Sequence, residues 1–173
     1  MTVLENLKKI VTENGMQRVD ATMVVASNQG KSGIYVVQIG SFLVPQEYDE
    51  IVREPSSNKY WLKKDERWSL VKIEGTTLTG LLSGVTSFRH LKERDDYPTG
   101  YIEIETKDDV RLYERDRSRF VIDIVGLSQI ENMSFTTYWR GSPSTDEPKH
   151  VYYICAGGKW GCLLYTSPSP RDA

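Results

Sequence analysis

The sequence predicts an α+β fold, a mostly antiparallel sheet built from hairpins with an N-terminal helix and a mid-chain helix packed on one face. Three observations predict it. Positions 19–44 hold two runs rich in β-branched and aromatic residues around the polar break Asn28-Gln-Gly-Lys-Ser-Gly33, which is a hairpin pattern. The adjacent pairs Val24-Val25 and Val36-Val37 break strict alternation, as in strands covered on both faces, so this hairpin should lie mid-sheet. Two other segments, Thr2–Asn14 and Thr76–Glu93, instead carry apolar residues at helical spacing.

In the first helix, Leu4, Leu7, Ile10 and Val11 form a narrow stripe. Thr2 and Glu5 fit a capping box, and Asn14-Gly15 supplies a left-handed stop. After the hairpin, Pro45 should end the strand because it cannot donate to a ladder. Gln46–Arg53 then reads as a short helix with Tyr48, Ile51 and Val52 turned inward. The loop Pro55–Asn58 leads to a second hairpin, Lys59–Leu62 and Trp68–Ile73, around the charged turn Lys63–Arg67. The mid-chain helix carries Leu78, Leu81, Leu82, Val85, Phe88 and Leu91 on one side, with Thr76 or Thr77 as cap. Gly80 and Gly84 each weaken a helix by about 1 kcal/mol relative to Ala, and the alternative is two short strands broken by those glycines.

Beyond the turn Asp95–Gly100, Tyr101–Thr106 alternates as a half-exposed strand and Val110–Glu114 returns. Arg115–Arg119 reads as a solvated connection, and Phe120–Val125 as a buried strand. Gly126–Met133 fits no single pattern. Phe135–Trp139 and Val151–Cys155 are further strands, separated by the long loop Gly141–Pro148.

Length bounds the reading to one core: 173 residues are short for two domains. Hydrophobic residues make up 39% and charged residues 27%, close to the globular average. A net charge of -2 gives no global field for nucleic acid or anionic lipid. No apolar run approaches the roughly 18–20 residues of a membrane span, and Met1–Lys9 lacks the basic-then-apolar order of a signal peptide. The expectation is a cytoplasmic protein without a membrane partner.

The last residues, Cys162-Leu-Leu-Tyr-Thr-Ser-Pro-Ser-Pro-Arg-Asp-Ala173, resemble the in-frame translation of a transposase-type sequencing adapter along their whole length. That resemblance implies one domain over 1–161, truncated on its C-terminal side, followed by a non-native tail over 162–173. Cys155 is then the one native cysteine, and a lone cysteine forms neither an intrachain disulfide nor a thiolate cluster.

Several stretches carry chemistry-bearing residues. Gly30-Lys31-Ser32 is the end of a phosphate-binding loop, but Val25 stands where its first glycine belongs and a strand follows where a helix should open. It is read as a hairpin loop. Gly33-Ile-Tyr35 matches half of a nuclease signature and lacks the partner motif. His90 and His150 have no acid–nucleophile pair nearby in sequence.

Asp95 or Asp96 followed by Glu105-Thr-Lys107 has the order found in metal-dependent nucleases. There, carboxylates hold a divalent cation such as Mg2+ and a lysine steadies hydroxide or phosphate. Glu103 and Glu105 alternate on one exposed strand face, which also describes an ordinary solvated surface. Aromatic residues sit beside bases at Tyr60-Trp61, Lys63-Lys64, Arg67-Trp68 and Trp139-Arg140. Such a surface stacks single-stranded nucleic acid or forms a protein-binding hot spot; equally, one aromatic of each pair faces the core.

The first functional expectation is therefore a non-catalytic binding module using Trp61, Lys64, Arg67 and Trp68, with no resident cofactor. The alternative is a metal-dependent phosphodiesterase using Asp96, Glu105 and Lys107 with a divalent cation.

Overall fold

A computed structural model describes residues 15–18, 22–92, 98–122, 124, 126–134 and 150–165. The expected helix Thr2–Asn14, the strand Phe135–Trp139 and the loop Gly141–Pro148 lie outside them. The α+β expectation is overturned: the described residues contain no helix and form four antiparallel sheets. The chain divides into two compact units, Met1–Thr86 and Ser87–Ala173.

In the first unit, β1 (Gly15–Arg18), β2 (Met23–Asn28), β3 (Lys31–Val36) and β4 (Ser41–Tyr48) form one sheet in sequence order. β2 and β3 occupy the two central positions, as expected of the hairpin, but its second run does not stay in one strand: it turns at 37–40 and ends in the edge strand β4. Its turn is tighter than the polar break suggests. Asn28 pairs with Lys31, leaving only Gln29 and Gly30 at φ 50° and 76°. Both central residues at positive φ match the right-handed strand twist, which is why Gly30 suits the second position.

Gly33 is then inside a strand, and its missing side chain matters. A Cβ there would meet the carbonyl oxygen of Val44 at 2.5 Å and the amide nitrogen of Gln46 at 2.8 Å. β4 runs through Pro45 rather than stopping before it. As an edge strand with an irregular ladder to β3, it does not need that missing N–H.

The expected short helix Gln46–Arg53 is also strand. The chain leaves β4 at Asp49 and enters β5 (Glu50–Arg53), the first strand of a second sheet. That sheet continues through β6 (Lys59–Lys64), β7 (Arg67–Glu74) and β8 (Thr77–Val85), again in sequence order. Asp65 and Glu66 turn the β6–β7 hairpin at φ 51° and 59°. Val25, Ile34 and Val44 of the first sheet share a core with Tyr60, Leu62, Val71 and Ile73 of the second. Tyr48 and Ile51 pack against it as the sequence suggests, whereas Val52 is exposed.

The expected mid-chain helix is β8 followed by β9 (Ser87–Lys92), separated at Thr86. The strand alternative is correct in kind, although the break falls after the glycines.

In the second unit, β9, β10 (Pro98–Glu105), β11 (Val110–Glu114) and β12 (Arg119–Ile122) form a sheet in the order β12-β11-β10-β9. The segment that fits no single sequence pattern is β13 (Leu127–Ser134), which pairs with β14 (His150–Ala156). β14 in turn pairs with β15 (Lys159–Tyr165). Leu91, Val110, Leu112, Ile122, Leu127 and Ile130 make the core of this unit.

Candidate functional site

The β6–β7 ladder is regular, so strand alternation sorts its side chains cleanly. Tyr60, Leu62 and Val71 face the core. Lys64 and Arg67 form the cross-strand pair at the end of that same face. The opposite face carries Trp61 beside Leu70, both fully buried, Lys63 beside Trp68, and the buried Lys59 beside Lys72. The four residues expected to bind therefore do not share one surface.

Trp61 departs furthest from expectation. It is fully buried, and its indole Nε1–H donates to Glu54 Oε1 at 2.6 Å. A buried Trp keeps a partner for its polar edge, and here the partner is a carboxylate that is itself wholly buried. Trp61 is a core residue and presents no ring to solvent.

Trp68 is half-buried, and the Lys63 ammonium lies 5.5 Å from its ring centroid, a cation–π arrangement. On the core-side end, the Lys64 ammonium lies 5.9 Å from the Tyr48 ring and 3.1 Å from Glu47 Oε1. The hydrogen bond that the Lys64 ammonium donates to Glu47 raises its pKa and keeps it charged. Arg67 Nη1 donates to the Gly84 carbonyl at 3.5 Å. Nearby, Lys31 is ion-paired with Asp49, and that bond holds the Asp49 carboxyl below its usual range. Lys31, the lysine of the phosphate-loop-like stretch, thus serves an inter-strand pair at a hairpin end.

On this face Lys63 and Lys72 stand near Glu50 and Glu74, while Lys59 and Glu54 are buried. Glu50 lies opposite Lys63, and Lys72 is paired with Glu74 at 2.6 Å.

The alternative site lies in the second unit. Asp96 is outside the described residues. Glu105 ends β10, where it accepts a hydrogen bond from Ser87 Oγ, and Lys107 is exposed in the turn before β11. Glu105 and Lys107 do line one small cleft of about 150 Å³ with Asp108 and Asp109.

Asp109 is committed elsewhere. Its carboxylate takes both Arg111 Nε and Nη2 at 3.1 Å and the Thr106 hydroxyl at 2.9 Å. The Arg111 fork, helped by Thr106, holds its pKa below the usual carboxylate range. A neighbouring cleft of about 330 Å³ is lined by Arg89, Glu103, Glu105 and Glu131, and Arg89 bonds Glu103 at 3.0 Å. Among the described residues, no three His, Cys, Asp or Glu side chains are grouped to hold a metal ion.

No family model matches the chain, and no characterised protein matches it.

Sequence reasoning passed over Glu54, and left Lys63 and Lys72 out of the site. Counting odd and even positions along Lys59–Lys64 would have put Lys63 on the tryptophan face and moved Lys64 off it. Glu54 carried no signal, since its role depends on where the chain turns back toward Trp61. Trp139 and Arg140, the remaining aromatic–basic pair, lie outside the described residues. Among the described residues, no helix is long and apolar enough to cross a membrane.

Proposed function

We propose that this chain is a non-catalytic binding module that contacts a protein partner through the partly exposed patch at Trp68 and Lys63. The observation that carries the reading is the half-exposed indole of Trp68 with the Lys63 ammonium 5.5 Å from its ring centroid. An aromatic anchor within a polar rim is the usual composition of a protein-binding hot spot. A protein partner fits better than single-stranded nucleic acid because the lysines beside Trp68 are matched by acids, Lys63 by Glu50 and Lys72 by Glu74. A strand of phosphates needs a continuous basic track. A reducing compartment such as the cytoplasm suits the free, buried thiol of Cys155.

The test is selection of a random peptide library on the wild-type chain and on Trp68→Ala. Peptides enriched on the wild type and lost on the variant support the reading. Equal enrichment on both overturns it, as does salt-sensitive binding of oligothymidylate in place of peptides.

A second reading, a divalent-cation phosphodiesterase, draws on Glu105 and Lys107 lining one cleft. Its test is Mn2+ titration with an oligonucleotide substrate: cleavage abolished by Glu105→Gln supports it, and no Mn2+-dependent cleavage removes it.

A further inference from the structure

Every sheet edge is a row of backbone donors and acceptors without a partner strand, and proteins blunt such edges with charge, proline, irregularity or shortness. Of the eight outer strands in the described sheets, four are plainly blunted. β4 carries Pro45 and Glu47, and its ladder to β3 is irregular. β5 has four residues and begins and ends with Glu50 and Arg53. β9 carries Arg89, His90 and Lys92. β12 has four residues and begins with Arg119.

β8 differs. It is the outer strand of its sheet, nine residues long, and reads Thr-Leu-Thr-Gly-Leu-Leu-Ser-Gly-Val, with neither charge nor proline. Thr77–Gly80 are exposed along their whole length. Leu78 pairs with the core residue Ile73 and so extends the core face, yet it is 42% exposed. At Gly80 and Gly84, nothing lies within 4 Å of where a Cβ would stand. Glycine in a strand interior often marks close approach by another backbone.

We propose that β8 is a self-association edge, pairing antiparallel with β8 of a second copy of this chain about a two-fold axis near Gly80. The occupant follows from the charge pattern. In a two-fold pairing each residue faces a neighbour from the same strand, so a charged edge sets like charges opposite one another. β8 has none to set. Leu78 of each copy is then covered by the partner strand, which extends the two core faces into one. One strand pair is a small interface, so the dimer forms in a concentration-dependent way. The inference stands apart from the Trp68 reading and survives its failure.

Sedimentation velocity on the full chain across a concentration series tests it, with Thr79→Lys, Thr79→Glu and their equimolar mixture. The wild type should shift from monomer to dimer as concentration rises. Each variant alone should stay monomeric, since like charges then meet across the axis. The mixture should regain the dimer, and that recovery also shows that both variants are folded. A wild type that is monomeric throughout overturns the proposal. So do dimers that persist in either variant alone, which would place the interface elsewhere, and a mixture that stays monomeric.

Discussion

Replacing Gly33 with alanine probes the closest backbone approach in the first unit. The added Cβ would lie 2.5 Å from Val44 O, 2.8 Å from Gln46 N and 2.8 Å from the Pro45 carbonyl carbon. All three are main-chain atoms of β4, so no side chain can rotate aside and the two strands must separate. Overpacking of this kind costs about 1–3 kcal/mol, and with backbone on the receiving side we expect the upper end, about 3 kcal/mol. With urea slopes of roughly 1–3 kcal/mol/M, the unfolding midpoint should fall by about 1–3 M.

The assay is urea unfolding followed by tryptophan fluorescence, since Trp61 is buried in the same unit. Gly80→Ala is the control. Open space surrounds that position and its φ is not positive, so the alanine should be neutral or stabilising by up to about 1 kcal/mol. If Gly33→Ala unfolds at the wild-type midpoint, β4 does not cross Gly33 as described.

Trp61→Phe removes the donor to the buried Glu54 carboxylate and should destabilise the chain by about 2–3 kcal/mol, measured by urea unfolding under circular dichroism. Replacing Asp65-Glu66 with Asn-Gly relieves two non-glycine residues at φ 51° and 59° and should raise stability by about 1 kcal/mol in the same assay. Asp109 sets an acid limit on the second unit. Its folded pKa is depressed by Arg111, so its contribution is fully present above the unfolded carboxylate value of about 4 and is lost as pH falls through the lower folded value. In Asp109→Asn that pH-dependent loss should be absent, read by unfolding midpoints compared at neutral and acidic pH.

The hairpins were legible because their turns are written locally. Gln29-Gly30 and Asp65-Glu66 interrupt apolar runs, and the runs need nothing distant to be recognised. The segment Thr76–Glu93 misled for a definable reason. Along β7 and β8, Val71 pairs with Gly80, Leu70 with Leu82, and Trp68 with Val85. Each of the last two steps spends one more residue on β8 than on β7, so β8 carries an extra residue twice. Those irregularities stretch the apolar spacing from two to three or four, imitating a helical stripe. The local chemistry pointed the other way: four threonines and two glycines between Thr76 and Thr86 are poor helix formers.

The same kind of miscount affected Gln46–Arg53, where passage from one sheet to the next at Asp49 puts Tyr48 and Ile51 three apart on the core. The aromatic–basic cluster was visible as composition, but its faces were not. Adjacent Lys63 and Lys64 belong to opposite sides of a strand, and the burial of Trp61 depends on Glu54, which no local pattern brings beside it.

The central claim is that Thr77–Val85 is an edge strand laid on β7. Backbone NMR of the full chain tests it directly through proton–proton contacts. Cross-strand contacts pairing Ile73 with Leu78 and Lys72 with Thr79 are the predicted result. A continuous series of contacts between residues three apart, running from Thr77 to Leu91, would contradict it.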